Sequence, residues 1–221
     1  MGATILFVAG LGVVAAWWLS RQRLTAKPWL EEGALGEFPG TGVSPLPAAK
    51  VALGVFLAVV GSLFALLVGA YLMRMQLADW RLPPKPGILW LNTGLLVLSS
   101  AALVWAQDAE ERGKAGSVRT GLLVSGIAAL AFLAGQIVAW RELSDAGYFL
   151  ASNPANSFFY LLTTAHGLHL AGGLVALGRT AIAASHPVAP SDLRLSLELC
   201  AMYWHFLLLV WFLLFSLLLV T

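Results

Sequence analysis

His166 and His169 stand three residues apart, a spacing that stacks two imidazoles on one face of a helix, and His205 follows in a later apolar run. Three imidazoles invite metal or haem chemistry. Haem ligands, however, must project across a shared cavity at matched depth, and Gly167, Gly172 and Gly173 beside this pair favour close helix contact over a cofactor pocket. We read all three as neutral histidines that hydrogen-bond between helices, each bond worth about 0.6–2 kcal/mol. The same interhelix role is expected of Asn92, Gln136, Tyr203 and Trp204, with Glu198 at the entrance of the last run. No catalytic, cofactor-binding or metal-binding residue is assigned. The chain offers no paired carboxylates, no thiolate cluster and no glycine-rich phosphate loop, and its one cysteine, Cys200, lies in an apolar run.

The elements that carry these groups are apolar runs over 3–19, 51–73, 87–106, 121–140, 157–178 and 199–220. A hydrocarbon core of about 30 Å takes roughly 20 helical residues, so five runs are long enough and the first is short. With 59% hydrophobic and 11% charged residues in 221, a soluble domain is excluded, and a net charge of +2 without a basic run leaves nothing to build a nucleic-acid surface from. The expected fold class is all-α: a polytopic membrane protein of six transmembrane helices. Residues 1–20 form an N-terminal transmembrane helix, 21–50 a proline- and glycine-rich cytoplasmic loop, and 51–221 a five-helix bundle. The first run lacks a basic leader and an Ala-x-Ala site and is read as retained.

Six spans put both termini on one side. The loops after the odd spans carry Arg21, Arg23, Lys27, Lys50, Arg112, Lys114, Arg119, Arg179 and Arg194, against Arg74, Arg81, Lys85 and Arg141 on the other side. Positive-inside bias therefore places both termini outside the cytoplasm.

Specific strings add to this. Phe158-Phe159-Tyr160-Leu161-Leu162-Thr163-Thr164-Ala165-His166-Gly167-Leu168-His169 resembles the Phe-Phe-x-x-Thr-Gly-Phe-His-Gly-x-His signature of subunit III of haem-copper oxidases, the cytochrome c oxidase subunit III family. Glu198, then Tyr203-Trp204-His205-Phe206 and Val210-Trp211, looks like that family's last helix. Leu91-Asn92-Thr93 with Leu98-Ser99-Ser100, and Phe132-Leu133-Ala134-Gly135-Gln136, resemble two helices upstream. The ordered match runs from about residue 50 to the end. Three acidic positions usual in the family are replaced, at Ala58–Gly61, after Gln136 and near Leu207-Leu208, so the chain is a divergent short member.

The resemblance implies a non-catalytic subunit III that stabilises catalytic subunit I of a respiratory terminal oxidase and supports its proton uptake during dioxygen reduction. Haem and copper are then expected in subunit I and none in this chain. Subunit II, bound phospholipid and a larger respiratory supercomplex are the other implied partners, and the membrane is a bacterial-type plasma (inner) membrane. Arg74 and Arg179, at span ends, are the candidate lipid-headgroup contacts. The residues leave open the donor, cytochrome c or quinol. They also leave open an accessory subunit of a nitric oxide reductase, a haem-bearing membrane redox protein and a small channel. The N-terminal helix is expected to dock on a neighbouring subunit.

Overall fold

Five helices make up most of the residues that the computed structural model describes, 48–185 and 190–220. They are α1 (Ala48–Arg74), α2 (Ile88–Glu111), α3 (Ala115–Asp145), α4 (Pro154–Ala183) and α5 (Pro190–Val220). They follow the second to sixth apolar runs, and each is long and apolar enough to cross a membrane. The expected N-terminal helix, and the loop after it as far as residue 47, lie outside the described residues.

Local chemistry sets the helix ends. Asn153 is extended (φ −159°, ψ 139°), its side-chain oxygen accepts from Ala155 N at 3.2 Å, and Pro154 takes the first helical position, where a missing N–H costs nothing. α2 and α3 close alike. At the end of α2, Lys114 N donates to Ala109 O and Gly113 N to Glu110 O. At the end of α3, Tyr148 N donates to Leu143 O and Gly147 N to Ser144 O. This is the Schellman pattern, and it needs the positive φ of Gly113 (66°) and Gly147 (87°). Pro83, Pro84 and Pro86 keep the segment between α1 and α2 out of a helix.

Arg74 ends α1 with a two-pronged pair to Asp79, at 2.7 and 2.5 Å. The guanidinium hydrogen bonds hold the Asp79 carboxyl below its ordinary 3.8. A depressed folded pKa contributes stability above the unfolded value and loses it as pH falls through the folded one. Because the pair is exposed, Asp79→Asn should lower the thermal midpoint only slightly, by an amount constant across neutral pH and vanishing below pH 3.8. A difference that grows on acidification would contradict the pairing.

Inside lipid, helices gain little from hiding apolar surface and associate through close packing and hydrogen bonds, so small residues matter where backbones meet. α2 and α3 show this. A Cβ placed on Gly121 would stand 2.8 Å from Ala106 Cβ and 2.9 Å from Ala102 O. Further along the pair, Gly135 leaves room for Asn92. α1 is joined differently: among the described residues, none of its Cα atoms comes within 8 Å of a Cα in another helix. Large side chains bridge that gap, among them the buried Phe64 and Tyr71 of α1 and Phe206 of α5, whose ring lies over Gly61.

Candidate functional site

Hydrogen bonds between the helices of the bundle come mainly from indoles and hydroxyls. Trp204 Nε1 donates to Ser99 Oγ at 2.7 Å, and Ser99 Oγ in turn reaches Ser125 O and Ser125 Oγ, both at 2.9 Å. One hydroxyl thus joins α2, α3 and α5. Seven residues on, two turns of helix, Trp211 Nε1 donates to Thr93 Oγ1 at 2.9 Å, while Thr93 donates to Leu89 O at 2.8 Å. The two indoles are 1% and 0% exposed, so each N–H is buried with its acceptor. Trp140 Nε1 donates to Thr163 Oγ1 at 3.0 Å between α3 and α4, and Tyr203 OH to His169 O at 2.7 Å between α5 and α4. Gly173 makes room for this last contact: a Cβ there would meet Tyr203 Cε1 at 2.6 Å and Trp204 Cζ3 at 2.9 Å.

A polar level lies in the core beside this seam. Asn92 Nδ2 donates to Gln136 Oε1 at 3.5 Å, a long bond between α2 and α3. The contacts of Trp140 with Thr163 and of Leu133 with Gly167 fix an antiparallel register of α3 on α4 that sets Gln136 about level with His166. All three residues are buried. Among the described residues, Asn92 Oδ1, Gln136 Nε2 and both His166 ring nitrogens have no hydrogen-bond partner. The imidazole is enclosed by rings instead, with centroids at 5.2 Å from Trp211, 5.8 Å from Phe132 and 6.3 Å from Phe64.

The expectation that histidines bond across helices is therefore corrected. His166 has aromatic neighbours rather than hydrogen-bond partners. His169 turns its Nδ1 to Ala165 O of its own helix, at 2.7 Å, and its ring lies 5.4 Å from that of Phe64. His205 is exposed on α5 and does not meet the α4 pair; Trp211 occupies that place against His166. The cause is angular. Positions 204, 207, 211 and 214 of α5 face the core, and position 205 sits about 100° around the helix from 204.

Of the other expected residues, Asn92, Gln136, Tyr203 and Trp204 do bond between helices. Glu198 pairs with Lys50, linking α5 to α1, and also faces Arg194 at 3.5 Å. Lys50 stands in the sequence only as a loop charge, Thr93 and Ser99 only inside motif strings, and Ser125 carries no signal of its own; the antiparallel register is what connects them. Arg74 is bound to Asp79, whereas Arg179 is exposed near the end of α4. Among the described residues, no three His, Cys, Asp or Glu side chains converge as a metal site would require.

The imidazole environment leads to a test. His166→Phe removes two buried nitrogens that have no partner and leaves a ring among rings, so the variant should fold with a thermal midpoint at or near that of the parent. Loss of the folded bundle in this variant would show that the imidazole has a polar task.

The four helices that share the indole and hydroxyl seam also carry the likeness to known proteins. The sequence model of "Cytochrome c oxidase subunit III" matches residues 83–220, from the prolines before α2 through the end of α5. The chain belongs to the cytochrome c oxidase subunit III family. A "Probable cytochrome c oxidase subunit 3" of Mycobacterium tuberculosis is 33% identical over 162 residues, 69% of this chain and 78% of the relative. Its counterpart in Nocardia farcinica is 31% identical over the same shares. The "Cytochrome c oxidase subunit 3" of Pylaiella littoralis is 32% identical over 141 residues, 64% of this chain and 48% of the relative. This subunit III-family chain is thus an integral membrane protein and an accessory subunit of a multi-subunit oxidase. The family match begins after α1, the helix whose backbone stands farthest from its neighbours.

Proposed function

We propose that this chain is the non-catalytic subunit III of a respiratory haem-copper terminal oxidase, holding catalytic subunit I in its working form and supporting proton uptake while dioxygen is reduced. The family match across α2–α5 carries the reading. The helix-to-helix seam agrees with it: the residues of the Tyr203-Trp204 and Trp211 motif hold helices together, as expected of a rigid scaffold. Haem and copper belong to subunit I in this reading. Among the described residues, the His166 ring is enclosed by Phe64, Phe132 and Trp211 and His169 bonds its own backbone, which supports that placement. Subunit II, and a larger respiratory assembly, are the further partners.

The chain sits in a bacterial-type inner membrane with its C-terminus outside. The excess of Lys and Arg at the end that carries Lys50, Arg112, Arg119, Arg179 and Arg194 supports that orientation. Phospholipid binds at the span ends, with Arg179 as a headgroup contact on the cytoplasmic side. Two experiments test the reading. The isolated chain, purified in mild detergent, should show no Soret band; a Soret band that disappears in His169→Ala would replace the scaffold reading with a redox one. A cysteine placed at the C-terminus should react with a membrane-impermeant thiol reagent in intact cells, and protection there would reverse the orientation.

A further inference from the structure

We infer that the hollow between α3 and α4, at the end of the bundle that carries Arg141, binds one anionic phospholipid. The hollow measures about 520 Å³, and its wall changes in character along α3. Ile137 lines its deep end, Trp140 follows, and Arg141 and Ser144 line its shallow end. The uncharged stretch of α3 that begins after Arg119 ends at Trp140, so the hollow crosses the edge of the hydrocarbon layer. Ile137 to Ser144 rises about 10 Å. Apolar wall, aromatic belt and cation thus follow one another in the order of a lipid's acyl chain, glycerol and phosphate.

Three observations show that the hollow is preformed and electrostatically incomplete. The loop that closes it is pinned to α4: Ser157 Oγ donates to Leu150 O at 2.6 Å and Asn156 Nδ2 to Phe149 O at 3.2 Å. The rings of Trp140 and Tyr160 are fixed from behind, Trp140 Nε1 on Thr163 and Tyr160 OH on Tyr148 O at 3.1 Å, so they offer the hollow apolar surface in a set orientation. Among the described residues, Arg141 has no carboxylate within 4.0 Å, whereas at the same end Arg74 is bound to Asp79 and Lys85 to Leu219 O. A positive charge without a counter-ion at the phosphate depth of an otherwise apolar hollow matches an anionic headgroup with its chain attached. A free phosphate would leave the apolar wall uncovered. Phe149 and Leu150, each 58% exposed on the loop, extend that wall.

The inference needs only the membrane-spanning fold, so it stands or fails independently of the oxidase reading. The test uses the full chain in its purified complex, titrated with phosphatidylglycerol or phosphatidylcholine and weighed by native mass spectrometry. Arg141→Gln alters an exposed side chain at the rim of the hollow. It should weaken phosphatidylglycerol binding about fivefold, the loss of one interfacial cation, and leave phosphatidylcholine unchanged. Ala151→Trp, at an exposed position on the rim, should displace both lipids. Equal occupancy in the parent and both variants would overturn the inference, as would a protein chain seated in the hollow in a map of the complex.

Discussion

Trp204→Ala should lower the stability of the bundle by about 3–5 kcal/mol, the range for emptying a buried aromatic site. The indole is 1% exposed and fills the junction of α2, α4 and α5, and its N–H, like that of Trp211, hydrogen-bonds α5 to α2. Trp204→Phe separates the two contributions. It keeps most of the ring and removes the 2.7 Å bond to Ser99, so its cost should be about 1 kcal/mol, with Ser99 still bound to Ser125. Unfolding in mixed detergent micelles, followed by circular dichroism, gives both numbers. Equal losses for Phe and Ala would mean that the hydrogen bond, rather than the packing, holds α5 in place.

The second large effect is expected at Gly121. Gly121→Ala puts a methyl 2.9 Å from Ala102 O and 2.8 Å from Ala106 Cβ, both too close, and the nearer obstacles are backbone and a methyl with no rotamer to change. α2 and α3 must separate, at a cost of about 1–3 kcal/mol. Gly126→Ala is the control on the same helix. Its methyl would lie 3.5 Å from Leu177 Cδ2, an ordinary contact, and should be tolerated. Equal stability of the two variants would contradict the close α2–α3 packing.

The positions of α1–α5 were legible in the sequence because the constraint is one of length: an uncharged run long enough for the hydrocarbon layer has little choice but to form a helix. The breaks were legible too, at Pro83, Pro84, Pro86 and Asn153-Pro154. Side-chain partners were not, because they depend on how neighbouring helices are rotated and shifted against each other. His205 illustrates this. Its spacing from Glu198 is right for a shared helix face, yet the rotation of α5 is set by Trp204, Leu207, Trp211 and Leu214, which fill the core and leave His205 outside. His166 illustrates the converse. Its place in the motif is correct, but Phe64 and Phe132 lie on helices whose register no local pattern in the sequence specifies. Ser99 stands in a recognisable motif, but its partners, Ser125 and Trp204, follow only from the register.

In the proposed function this chain is a scaffold without a redox centre of its own, attached to a subunit that has one. Affinity purification of the tagged chain from its native membrane in mild detergent, followed by an optical spectrum and separation of the subunits, tests it most directly. A large membrane subunit should co-purify, haem and copper should be present in the complex, and both should remain with that subunit when this chain is stripped away. A chain that purifies without such a partner, or that retains haem after the large subunit has been removed, would contradict it.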